Sequence, residues 1–436
     1  MHRSRAGSKR AEKNPVPRTT GDFAFGVDRI VAHLCRVPGD PSIMRPIDLA
    51  RSVRGGDGLV WLDSSMAGPG RRSFVGWDPR EILAGGPGDW PEFERELNRR
   101  ACEVPAGGDP CAAGAAVGWV SFDGSFRFGI YPRLAVFDHQ PARWISPPEE
   151  IRVEKETPSH PPGDGPAFAS RVGGREFCAM VARAKEYIAA GDIYQVCLSH
   201  MFEAEWAGDP WSYYERLRRV SPAPYGAYLD LGGVQIASAS PECFLKMDGR
   251  SVETRPIKGT RPRHADPAGD ALAAAELLAS PKESAELVMI TDLERNDLGQ
   301  VCEFGSVHVA DLLRLEQFAQ VHHLVSTVRG TLRPDVTHAS ALRACFPGGS
   351  ISGAPKKRAL EIIAELEHTP RSFYTGAIGY FGFGGTSEFS IAIRTAEFSG
   401  GRARFGVGAG IVADSEPEAE WRETLQKAAG LLAAAR

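Results

Sequence analysis

The chain has 436 residues, of which 42% are hydrophobic and 24% charged, with a formal net charge of −4. That length exceeds one ordinary compact domain and predicts two subdomains or one large composite fold. The small negative balance offers no bulk attraction to nucleic acid or to an anionic membrane. No uncharged apolar run approaches the roughly 18 residues of a spanning helix. The N-terminus, MHRSRAGSKRAEKNPVPRTT, is basic and polar and lacks the apolar stretch of a secretory leader, so a cytoplasmic protein is expected. The eight cysteines, Cys35, Cys102, Cys111, Cys178, Cys197, Cys243, Cys302 and Cys345, form no C-x-x-C pair and no Cys/His cluster at zinc spacing. Reduced thiols are the expected state.

In chain order, residues 1–20 are expected to be a disordered basic tail. Residues 21–154 mix short strand-like runs, such as Leu59–Leu62 and Ala116–Val120, with Gly/Pro turns. The stretch 155–173, rich in Pro and Gly, reads as a linker or long surface loop. Region 174–436 follows. Its first helix spans Glu176–Ala190, with apolar residues at Phe177, Val181, Ala184 and Ile188, and Gly191 ends it. Ile193–Leu198 and Val234–Ser238 read as strands. Segments 269–280, 283–292 and 354–368 read as helices. Strands return at 374–382, 388–398 and 403–412, before a closing helix from Glu418 to Ala434. Neighbouring strands joined by glycine turns, with helices in groups, predict an α+β fold with antiparallel sheet.

Glu283 and Glu286 stand i, i+3 on one predicted helix, and Glu420 and Glu423 stand i, i+3 on another. Each pair alone is an ordinary solvated helix face. Together the two pairs could meet around one hard cation such as Mg²⁺, which takes oxygen ligands and keeps several waters. Lys427, four residues after Glu423, fits a surface ion pair or an ammonium that fixes a substrate carboxylate beside the metal. Lys258, in PIKGT, is by spacing alone a loop lysine, although a lysine buried near a metal can lose its proton and become a nucleophile. Glu242, in SPE, is either a strand-end turn residue or a carboxyl whose apolar neighbours make it a general acid. The loop FPGGSISGAPKKR sets Ser350 and Ser352 among glycines before a helix, where an anion would bind. It lacks the G-K-[ST] of a triphosphate loop. GVGAG, 406–410, reads as a strand whose backbone approaches a ligand closely. Arg394 is either an exposed strand residue or a carboxylate clamp. His323 is by default a structural histidine.

With these residues in view, the chain resembles the chorismate-utilising enzymes. The motifs are SPE (240–242), PIKGTRPR (256–263), MITDLERNDLG (289–299), GGSISGAPK (348–356), FYTGAIGY (373–380), IAIRT (391–395), GVGAGIV (406–412) and E-x-x-E-T-x-x-K (420–427). WLDSS (61–65) and RRSFVGWDP (71–79) extend the resemblance, more weakly, into the N-terminal region. The resemblance implies two large, mainly antiparallel sheets packed together with helices outside and an active site in the cleft between them. It implies that Glu286 and Glu423 bind Mg²⁺ with Glu283 and Glu420 in support. Gln195, Thr260, His323, Ser350, Tyr374, Arg394, Gly408 and Lys427 would contact chorismate, and Glu242 would protonate the departing 4-hydroxyl. Lysine at Lys258, where anthranilate synthases carry PIAGT, resembles the aminodeoxychorismate synthase large subunits. There the amine is expected to attack C2 and yield to ammonia at C4, giving 4-amino-4-deoxychorismate for 4-aminobenzoate and folate. Gln195, where the water-using relatives carry a lysine base, agrees with amination. No glutaminase nucleophile is visible, so ammonia is expected from a separate glutamine amidotransferase subunit. Ser64 and the segment 221–225 would flank a tryptophan pocket. The alternatives are an anthranilate synthase large subunit and a non-catalytic regulatory protein of the same fold.

Overall fold

The computed structural model describes residues 44–55, 58–64, 72–101, 113–140, 142–146, 167–318 and 321–436. The expected tail, 1–20, and most of the expected linker, 155–166, lie outside them. In chain order the first part carries α1 (Pro46–Val53), β1 (Val60–Asp63), β2 (Arg72–Gly76), β3 (Glu81–Gly85), α2 (Trp90–Ala101), β4 (Ala115–Val120), β5 (Phe126–Tyr131), β6 (Ala135–Asp138) and β7 (Arg143–Ser146). There follow β8 (Ala169–Ser170), α3 (Gly174–Ala189), β9 (Gln195–Glu205), α4 (Pro210–Val220), β10 (Tyr225–Leu231), β11 (Val234–Ser240), β12 (Cys243–Asp248), β13 (Ser251–Arg255) and β14 (Ile257–Pro262). Two consecutive helices, α5 (Pro267–Leu278) and α6 (Pro281–Gly299), lead to β15 (His308–Gln317), β16 (Val321–Thr331), α7 (His338–Cys345), β17 (Gly353–Ala354) and α8 (Lys356–Leu366). The chain closes with β18 (Ala377–Gly382), β19 (Thr386–Ile391), β20 (Thr395–Ser399), β21 (Arg402–Ile411) and α9 (Pro417–Ala434).

These strands make two large antiparallel sheets, so the architecture is the expected α+β. One sheet runs β17-β9-β21-β20-β11-β10-β1-β2-β6-β7, with β8 also on β9. The other runs β14-β16-β13-β12-β19-β18-β4-β5-β3, with β15 also on β16. Strands from before residue 150 and strands from after 174 share both sheets. A central core of Val60, Phe74, Val117, Trp119, Leu229, Ile236, Ile378 and Tyr380 joins the two sheets face to face. Outside the first sheet, α1, α4 and α9 bury Leu49, Trp211, Tyr214, Leu217 and Leu431, and α3 and α8 bury Phe177, Val181, Ile362 and Ile363. Outside the second, α2, α6 and α7 bury Trp90, Phe93, Leu298 and Leu342. The burial of these side chains, about 1.5–3 kcal/mol for each large one, is what holds helices to sheets.

Several predicted boundaries move, each for a local reason. The helix expected at 283–292 begins at Pro281, capped by the Ser280 hydroxyl, and continues to Gly299. Its last turns bury Glu294 and Asp297 beside Leu298, and two buried acids interrupt the apolar period that sequence reading follows. The strand expected at 388–398 is two strands in different sheets. β19 pairs β12 and β18, whereas β20 pairs β11 and β21. The chain changes sheet at Arg394, whose φ is +50°, a left-handed conformation rare for a non-glycine residue. A matching change separates β11 from β12 at Ser240–Pro241–Glu242, and the Glu242 carbonyl accepts from the Ile391 amide at 3.1 Å. The run expected as a strand from 374 starts only at Ala377, after left-handed residues at Ser372 and Thr375.

Candidate active site

The two sheet crossings open into a cavity of about 540 Å³. β9, β14, β16 and β21, the Ser350 turn and the helices α6 and α9 all border it, and it gathers nearly every residue singled out from sequence. Glu242, Lys258, Thr260, Glu283, Glu286, His323, Ser350, Tyr374, Arg394, Gly408, Glu420, Glu423 and Lys427 line it. Gln195 stands against its wall, with Nε2 packed on Gly410. Ser64 does not belong to it. That residue lines a second cavity of about 370 Å³, where its hydroxyl reaches the Pro224 carbonyl at 3.5 Å.

One end of the cavity is acidic. α6 contributes Glu283 and Glu286, and α9 contributes Glu420 and Glu423, so two i, i+3 pairs on separate helices share one space. Burial pushes the Glu286 carboxyl above its usual range, against the pull of Lys258 and Lys282. Burial pushes Glu423 the same way, but the ammonium of Lys427, with those of Lys282 and Lys258, outweighs it and leaves this carboxyl low. Lys427 is fixed from two sides, by Glu423 at 2.7 Å and by the Gly408 carbonyl at 2.9 Å. Among the described residues no three carboxylates or imidazoles already close as a cage. An all-oxygen, strongly anionic and partly desolvated rim nevertheless fits Mg²⁺, which binds through one or two carboxylates and keeps several waters.

The middle is arranged around Lys258. Sequence spacing suggested a loop, but the residue lies on β14, where the pairing register slips between Lys258 and Thr260. The intervening Gly259 has φ +71°, and a side chain there would strike Leu277. This bulge sets both neighbours on the cavity wall. The Lys258 amine has no hydrogen-bond partner among the described residues, and its charge reaches Glu242, Glu286 and Glu423. Glu242 is buried at the sheet crossing, and burial pushes its carboxyl up to about 7. Ser350 pulls the other way, followed by Lys258, the Ile257 backbone and Lys427. Among the described residues the buried Ser350 hydroxyl completes no well-formed hydrogen bond, yet it lies close enough to Glu242 to favour the ionised carboxylate as a donor would. His323 is pushed down to about 4, chiefly by burial and then by Arg394, so it is neutral at physiological pH. Its Nδ1 meets the Thr260 hydroxyl at 3.0 Å.

The opposite end is cationic and narrow. The Arg394 guanidinium, its pKa lowered by burial, faces the cavity without a hydrogen-bonding partner among the described residues. Tyr374, which lines the same cavity, is buried, and burial holds its phenol well above the ordinary value. GVGAG explains how these groups approach. A β-carbon on Gly406 would lie 2.2 Å from the Tyr374 ring, and one on Gly410 would lie 2.4 Å from Gln195 Nε2 and 3.4 Å from Lys258 Nζ. Gln195 Oε1 is a buried acceptor with no hydrogen-bond partner among the described residues. An arginine, a phenol and a lysine on separate walls suit a small dianion held at two carboxylates.

Sequence reasoning missed Lys282, next to Glu283, whose Nζ lies 3.6 Å from Glu420. It also missed the Glu294 carboxyl, pushed up to about 8 by burial although Thr254 donates a hydrogen bond to it. Lys282 was readable as the residue before the first glutamate pair. Nothing in spacing distinguishes Glu294 from a surface acid. Ser352, expected with Ser350 at an anion site, instead donates to the Gly348 carbonyl at 2.8 Å, so only Ser350 faces the cavity.

Residues 118–433 match the profile of the chorismate binding enzymes. Anthranilate synthase component 1 of Streptomyces coelicolor is 36% identical over 98% of this chain and 94% of its own length. Aminodeoxychorismate synthase of Streptomyces pristinaespiralis is 50% identical over 258 residues, 59% of this chain, and that match spans only 36% of the relative. The crystal structure of anthranilate synthase component I from Streptococcus pneumoniae superposes with a TM-score of 0.73 at 30% identity, covering 84% of this chain and 93% of that one.

Proposed function

Because this chain belongs to the chorismate binding enzyme family, we propose that it is a chorismate-utilising enzyme whose product is 4-amino-4-deoxychorismate, made with Mg²⁺ and ammonia. The observation that carries the choice of product is Lys258, an amine inside the cavity between the acid Glu242 and the acidic rim. When bound at Glu286 and Glu423, with Glu283 and Glu420 behind, Mg²⁺ supplies Lewis-acid charge to the ring carboxylate of chorismate. Arg394 and Tyr374 grip the second carboxylate, with Gly408 allowing close approach. Lys427 faces the ring-carboxylate side, while Thr260, neutral His323 and Ser350 enclose the ring.

In this reading the Lys258 amine, after giving up its proton, forms a bond to ring C2, the two conjugated ring double bonds shift toward C4, and the 4-hydroxyl leaves as water with the proton of Glu242. Burial pushes the carboxyl of Glu242 up to about 7, so it can still hold its proton near neutral pH, as a general acid must. Ammonia then bonds to C4 and gives a proton back to the Glu242 carboxylate, the two ring double bonds shift back, and the Lys258–C2 bond breaks with its electron pair returning to the amine. The net change is chorismate plus ammonia giving aminochorismate plus water. Gln195 has no basic group to activate water, which agrees with ammonia as nucleophile. A separate glutamine amidotransferase subunit would deliver that ammonia, and the product would feed 4-aminobenzoate synthesis in the cytoplasm. Ser64, in the second cavity, would contact a tryptophan there.

A second reading, an anthranilate synthase large subunit, is favoured by the relatives that match nearly full length. Product analysis separates the two. Chorismate, Mg²⁺ and ammonium should yield aminodeoxychorismate by mass and NMR, and glutamine alone should yield nothing without a partner. With ammonia withheld, intact mass should reveal a Lys258 adduct that Lys258→Ala abolishes. Anthranilate as product, or aminodeoxychorismate made at the wild-type rate by Lys258→Ala, overturns the assignment.

A further inference from the structure

Four glutamates at one end of a partly buried cavity repel one another, and something must offset that repulsion in the free protein. Three cations near them are tied elsewhere or set deeper. Lys427 is held by Glu423 and by the Gly408 carbonyl. Arg261 lies 3.8 Å from Glu283 and donates to the Thr260 carbonyl. Lys258 acts from β14, where its charge is shared among Glu242, Glu286 and Glu423. Lys282 is different. Its ammonium interacts with Glu420, Glu286, Glu423 and Glu283, in that order of strength. Its one close contact, 3.6 Å to the buried Glu420, is longer than a hydrogen bond. Its side chain is 52% exposed and leaves the first turn of α6 on a flexible stem.

We propose that Lys282 is a displaceable tethered cation, which neutralises the glutamate quartet of the free protein and withdraws into solvent when a divalent cation binds. The inference rests on the metal reading above. An ammonium held by charge alone, with water on one side, can be exchanged without breaking a hydrogen bond or uncovering apolar surface. If it stayed, it would repel the incoming dication across a few ångströms. Lys282 is thus a positioning residue. It offsets the mutual repulsion of the carboxylates, and it weakens metal affinity as a consequence, which makes metal binding reversible.

The test is calorimetric titration of Mg²⁺ into the wild type, Lys282→Met and Lys282→Arg, with melting curves of each without metal. Removing one unit charge near the site should tighten Mg²⁺ binding roughly three- to tenfold. It should also lower the metal-free melting point by about 1–2 °C, a loss that saturating Mg²⁺ removes. Lys282→Arg keeps the charge and should bind like the wild type. Equal or weaker binding by a folded Lys282→Met overturns the inference while leaving the metal site standing. If the wild type itself takes up no Mg²⁺, the metal reading falls and the inference with it.

Discussion

The two ends of the cavity are built by different means. The acidic end comes from helices: each glutamate pair is three residues apart on one helix, and only the meeting of α6 with α9 is tertiary. Its side chains range from buried Glu420 to half-exposed Glu423, and burial competes there with neighbouring lysines. The other side, with Glu242, Tyr374 and Arg394, comes from places where strands change sheets. It is dry, its backbone includes left-handed Arg394 and Thr375, and burial rather than pairing sets its pKa values. A helix face can therefore offer charge that solvent and mobile cations adjust. A crossing of two sheets offers fixed direction and desolvation. Metal affinity should belong to the first region, and acid catalysis and carboxylate recognition to the second.

Glu242→Gln is the harshest way to break that division. It should cut kcat by about 10³–10⁴-fold, as loss of a general acid does, with Mg²⁺ affinity unchanged. In the wild type the catalytic rate should fall above pH 7 as Glu242 ionises. Its folded pKa lies above its unfolded one, so its stabilising effect is full below about 4.5 and lost as pH rises through about 7. Glu242→Gln should therefore melt higher than the wild type at pH 8 than it does at pH 5, by comparison. A residual slope should remain from Glu294, which titrates about 8.

A crossed pair sharpens the comparison. Glu423→Gln should weaken Mg²⁺ roughly 10–100-fold, as loss of a charged ligand group does, and leave chorismate binding to the metal-free protein unchanged. Arg394→Lys, which cannot make a two-pronged contact, should raise the KM for chorismate by about tenfold, with Mg²⁺ affinity unchanged by calorimetry. If both variants shift both constants equally, the two ends do not act separately. The smallest effect is steric. Gly406→Ala sets a methyl group against the Tyr374 ring and should cost about 1–3 kcal/mol in denaturant unfolding, with a modest rise in KM.

The acidic end was legible because helix spacing survives in sequence: Glu283, Glu286, Glu420, Glu423 and Lys427 all follow a period of three to four. Lys282 went unnoticed because a lysine beside a glutamate is ordinary on any helix. The crossing end was legible only through motif resemblance. No periodicity separates Arg394 in the run 388–398 from a residue inside one continuous strand, yet the chain changes sheets there. Likewise nothing local sets Lys258 on a strand bulge, since the slip is defined by its partner β16.

By itself the sequence determined the class of fold, the two carboxylate helices, the glycine spacing of GVGAG and the set of residues to be brought together. Those properties depend on neighbours within a turn of helix or a few strand residues. Only the tertiary structure decided that Glu242 is dry enough to hold its proton to about 7, that His323 is neutral, and that Ser64 stands apart from the cavity. Desolvation and charge–charge coupling depend on what lies within a few ångströms, and in this chain those neighbours come from strands and helices far apart in the sequence, as Glu242 and Lys427 are.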